Sequence, residues 1–70
     1  MYIDPEIVLE NIPPKFVSYL EELQQYYDED NYYAFMDLLE VVEAMTKNLY
    51  SEGRITHEQL NAIFQKYGIA

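Results

Sequence analysis

Apolar residues recur along this chain at spacings of three and four, and each run breaks at proline, glycine or clustered polar residues. Between Pro14 and about Tyr27, the positions Phe16, Tyr19, Leu20, Leu23 and Tyr27 form one stripe. Lys15, Ser18, Glu21, Glu22, Gln24 and Gln25 make the opposite, polar face, which predicts an amphipathic helix. Pro13 and Pro14 suit its start, because the first turn of a helix has no internal partner for the N–H that proline lacks. Asp28, Glu29, Asp30 and Asn31 then interrupt the pattern with side chains that compete for their own backbone. A short turn is predicted there, with Asp30 or Asn31 capping the next helix.

The second stripe is the longest. Phe35, Leu38, Leu39, Val42, Met45, Thr46 and Leu49 keep helical spacing through to Tyr50, and a helix of about 20 residues would be on the order of 30 Å long. Gly53 stands where a left-handed residue ends such a helix. After it, Thr56 is placed to cap, Gln59 to close a capping box and Ile55 to staple onto Leu60. Leu60, Ile63, Phe64 and Tyr67 form the last stripe, which Gly68 ends. At the other end of the chain, Asp4-Pro5-Glu6 resembles a helix start, and a short helix is expected to run to about Asn11. It must stop there, because Pro13 drives Ile12 out of the helical region. No stretch alternates strictly as a half-buried strand does. The expected architecture is all-α: a small antiparallel three-helix bundle with a short additional N-terminal helix.

Seventy residues place this bundle near the lower size limit for an independent core, so residues 1–70 are expected to form one domain of modest stability. Hydrophobic residues make up 50% of the chain, which separates it from acidic chains too polar to fold. The absence of cysteine removes disulfides, thiolate nucleophiles and thiolate metal sites, and favours an intracellular setting. With neither a signal-like leader nor an apolar run of about 20 residues, the expectation is a soluble, cytoplasmic protein that does not enter a membrane.

Charge sharpens the picture because it is unevenly spread. Residues 1–46 carry eleven carboxylates against Lys15 alone, a net charge of −10, while residues 47–70 carry three cations against two acids. Such a field repels a phosphate backbone or an anionic membrane surface and attracts a basic protein.

Candidate chemistry is sparse. Asn48 to Gln59 has the register of a calcium-binding EF-hand loop with Gly53 at its sixth position, but Tyr50 and neutral Gln59 fall where carboxylates are required. His57 is the only histidine and has neither a second histidine nor a cysteine to share a metal. Neither it nor Glu58 is accompanied by a nucleophile in a recognisable motif. With two glycines, there is no phosphate-binding loop. Accordingly no catalytic, cofactor-binding or metal-binding residue is assigned, and an enzyme is not expected.

One segment invites a functional reading. In residues 26–33 two tyrosine pairs, Tyr26-Tyr27 and Tyr32-Tyr33, flank an acidic turn. Adjacent helical residues differ by about 100° in direction, so at least one ring of each pair should be accessible. Tyr26, Asp28, Glu29, Asp30, Tyr32, Tyr33, Asp37 and Glu40 are therefore the candidate partner-binding residues. The leading expectation is an accessory or regulatory protein of bacterial type that binds a protein partner, with a basic partner favoured by the charge. One alternative is a phage inhibitor, antitoxin or immunity protein whose carboxylates mimic nucleic acid. Another is a structural homo-oligomer, because Val17, Met36, Val41, Ala44 and Ile69 lie beside the core stripes and would suit a homodimer contact.

Overall fold

A computed structural model of the protein describes all residues 1–70 and contains three helices and no strand. In chain order they are α1 (Pro14–Asp28), α2 (Tyr32–Ser51) and α3 (His57–Lys66). Local sequence explains each boundary. Pro14 opens α1 at its first position, where its missing N–H costs nothing, and the N-cap Pro13 has no polar side chain to cap with but accepts from the Phe16 N–H through its carbonyl. Asn31 caps α2 by accepting from the Ala34 N–H, which selects it over Asp30. Asp30 instead makes the turn, at φ 57°, a left-handed conformation that aspartate tolerates better than most residues. The capping box at α3 is complete: Thr56 Oγ1 accepts from the Gln59 N–H, and Gln59 Oε1 accepts from the Thr56 N–H. Gly53 comes just after α2 at φ 73°, as its place in the sequence requires.

The molecule measures 33 × 23 × 22 Å, and the twenty residues of α2 span roughly 30 Å. Helices α1 and α3 both pack against α2, but their backbones do not approach each other. Phe16, Leu20 and Leu23 of α1, Phe35, Val42 and Leu49 of α2, and Ile63 of α3 form the core with Ile3, Ile55 and Tyr67. Thr46 is the one buried polar residue. Its hydroxyl donates to the Val42 carbonyl, and no buried side-chain polar atom is left without a partner.

The N-terminal segment departs from expectation. Asp4 begins a turn as predicted, with its carboxylate accepting from the Glu6 N–H, but the turn covers only Pro5 and Glu6 and no helix grows from it. Residues 1–13 form instead an irregular strap laid along α3. Its direction is opposite to that of α3: the Asp4 N–H donates to the Lys66 carbonyl, while the carbonyls of Glu10 and Asn11 accept from Gln59 near the helix start. Two causes account for this path. About seven residues between Pro5 and the proline pair are too few to offset helix nucleation. An extended path also lets Ile3, Ile7, Leu9 and Ile12 turn inward while Glu6, Val8 and Glu10 face solvent. At its beginning the Tyr2 ring lies against Gly68, where an added Cβ would come within 3.1 Å of Tyr2 Cδ1. Gly68 is thus fixed both by its positive φ and by the strap's approach.

Candidate functional site

The turn between α1 and α2 gathers most of the residues that stand out in the sequence. Asp28 ends α1, Glu29 and Asp30 make the turn, and Tyr32 and Tyr33 open α2, all of them exposed. Tyr33 is the most open of the large hydrophobic side chains at 81%, and Tyr32 is 51% exposed. Their rings meet edge to face, with centroids 5.4 Å apart and planes at 85°, so each restricts the other's rotation. Asp37 and Glu40 continue the exposed surface along α2. They lie four and seven residues after Tyr33, which is the spacing of one helix face.

The two tyrosines that close α1 exchange their expected roles. The stripe puts Tyr27 in the core and leaves Tyr26 at the open surface, yet Tyr26 is half-buried against the core and Tyr27 is exposed. Both +3 and +4 steps from Leu23 continue a helical stripe, so spacing alone does not choose between them. Tyr27 keeps one contact at the edge of the core, its ring tilted against that of Phe35 of α2 with centroids 6.1 Å apart. The accessible rings of this corner are therefore Tyr27, Tyr32 and Tyr33.

None of the corner's carboxylates forms an ion pair within the chain. The only ion pair is Lys47 with Glu43, 3.0 Å apart on α2. Lys66 turns its ammonium onto the carbonyls of Asp4 and Ile7. Lys15 precedes Asp28 by thirteen residues on α1, about 20 Å, well beyond the roughly 8 Å over which charges act at physiological ionic strength. Asp28 and Glu29 accept hydrogen bonds from Gln24 and Gln25, neutral donors one turn earlier that orient the carboxylates without neutralising them.

A second concavity lies between the strap and the start of α3. It is an open groove of about 630 Å³ bordered by Val8, Leu9, Ile12, Arg54, Glu58 and Gln59, among others. Gln59 is fully engaged there, holding the cap with Thr56 and the strap carbonyls of Glu10 and Asn11. Nothing in the sequence signals this groove, because the strap that forms one wall reads locally as a helix. His57 stands in the first turn of α3 as anticipated, exposed, with Asn61 at 3.4 Å and the Tyr50 ring at 5.7 Å. No three acidic or histidine side chains converge as metal ligands would, and no helix is long and apolar enough to cross a membrane. The single clearly displaced ionisation belongs to Tyr67, whose phenol burial pushes up to about 12.

Comparison of the chain with protein-family models, curated proteins and solved structures gives no match.

Proposed function

We propose that this chain is a small acidic interaction module, of accessory or regulatory type, that binds a basic protein partner through the α1–α2 corner. The observation that carries this reading is the union of exposed tyrosine rings with carboxylates that form no ion pair within the chain. Long-range attraction would speed encounter and make it salt-dependent, and the rings would supply contact area of low conformational entropy. The short connections, residues 29–31 and 52–56, favour antiparallel packing of consecutive helices, which would hold the corner at one end of the bundle. Nucleic-acid mimicry has less support, because Glu43, the third acid after Asp37 and Glu40, is tied to Lys47.

A specific observation keeps self-association as a second reading: Val17, Met36 and Val41 are exposed beside the core. Sedimentation across concentrations tests it, since a homodimer would dissociate on dilution and Val41→Asp would abolish it.

The experiment for the leading reading is co-purification at low salt of the intact chain and of a variant combining Asp28→Asn, Asp30→Asn, Asp37→Asn and Glu40→Gln. A partner retained by the parent, released by salt and absent from the variant supports the reading. Equal retention by both chains refutes it.

A further inference from the structure

We infer that the face carrying Tyr33, Asp37 and Glu40 docks arginine side chains, so that the partner segment is arginine-rich and not merely basic; this rests on the reading proposed above. The inference comes from how ring and carboxylates are combined on α2. Tyr33 presents a ring that is 81% exposed, and Tyr32 braces it edge to face at 5.4 Å. Asp37 stands one helical turn further on the same face and Glu40 nearly two, both exposed. Side chains four apart on a helix have Cβ atoms about 5–6 Å from each other, within the reach of one guanidinium. A planar guanidinium can therefore lie on the Tyr33 ring and direct its N–H fork at the Asp37 carboxylate.

Lysine fits this arrangement less well. Its ammonium is a strongly hydrated point charge that can approach either the ring or the carboxylate, but it has no plane to stack and no fork to pair. The local field adds to the contrast. Lys47, the only cation on α2, is fourteen residues from Tyr33, about 21 Å along the helix, and is held by Glu43. Both oxygens of Asp37 are consequently open to an incoming donor pair, the geometry in which arginine exceeds lysine most. Tyr27, Asp28 and Glu29 border the same corner and extend the surface for a second arginine.

The test uses the intact chain with two fluorescently labelled peptides of equal length and charge, an arginine–glycine repeat and its lysine counterpart, titrated by anisotropy. The arginine peptide is expected to bind at least about fivefold tighter. Tyr33→Leu is expected to bring that preference below about twofold by weakening the arginine peptide more than the lysine peptide, and Asp37→Asn to reduce the preference independently. Circular dichroism on each variant checks that its helix content is that of the parent. Equal binding of the two peptides overturns the arginine inference and leaves the basic-partner reading standing. Failure of both peptides to bind overturns both. A full preference retained by Tyr33→Leu and by Asp37→Asn overturns the placement on this face.

Discussion

Lys66→Met tests whether the strap is held as its hydrogen bonds indicate. The Lys66 ammonium donates to the Asp4 carbonyl at 3.0 Å and the Ile7 carbonyl at 2.8 Å, and both bonds are partly buried. Methionine keeps most of the apolar stem and removes the donors, leaving the Ile7 carbonyl without a partner and the Asp4 carbonyl with only the 3.4 Å bond from the Ile7 N–H. Charged hydrogen bonds contribute about 1.5–3 kcal/mol each when buried, and partial solvation brings the pair to about 2 kcal/mol in total. For a chain of seventy residues, whose whole stability is on the order of 3.5–10 kcal/mol, that is a large fraction. Urea unfolding monitored by circular dichroism should show it. With a slope of about 1 kcal/mol per molar, the midpoint should fall by roughly 2 M if strap and helices unfold together. If the strap instead opens locally, the midpoint should move less and the Asp4 amide, which donates to the Lys66 carbonyl, should lose protection against hydrogen exchange. A midpoint within about 0.3 M of the parent together with unchanged Asp4 protection would mean that these two bonds do not hold the strap.

Two further substitutions probe the same architecture. Thr56→Ala removes the acceptor of the Gln59 N–H and should cost about 1 kcal/mol, whereas Gln59→Ala keeps that cap but removes the acceptor of the Thr56 N–H and the donor to the Glu10 and Asn11 carbonyls, and should cost about 1 kcal/mol more; equal urea midpoints for the two variants would contradict the bridging role. Tyr67 gives a pH signature. Its phenol titrates near 10.0 in the unfolded chain and near 12 when folded, so the contribution is complete below about pH 10 and is lost as pH rises from 10 to 12. Two units correspond to at most about 2.7 kcal/mol, and Tyr67→Phe should flatten this part of the fall in stability measured by urea unfolding between about pH 9 and about pH 11.5. An identical alkaline fall in the parent and in Tyr67→Phe would assign the effect elsewhere.

The candidate surface was partly legible for a simple reason. Adjacent residues on a helix cannot both face one neighbour, so Tyr26-Tyr27 and Tyr32-Tyr33 had to place some rings at the surface. Which rings those are depended on partners distant in sequence. Tyr26 packs against the core, Tyr27 touches only its edge at Phe35, and Tyr32 and Tyr33 stay exposed. The absence of ionic relief at the corner was likewise a property of the fold, since four cations in the chain could have been placed beside these acids. Lys47 is instead paired with Glu43, Lys66 donates to strap carbonyls, and Lys15 lies about 20 Å along α1 from Asp28.

The features that residue order alone specifies are local ones. The proline entry to α1, the Asn31 cap, the Thr56–Gln59 box, the left-handed Gly53 and three apolar stripes act over at most a few residues, and so they can be read from neighbours in the chain. The path of residues 1–13 was settled by packing instead. Asp4 began its turn as local rules require, but the contacts that set the rest of the strap join residues 48 to 62 positions apart, through Gln59 and Lys66. Those groups compensate an irregular backbone with hydrogen bonds that exist only once α3 has packed, and no local propensity encodes them.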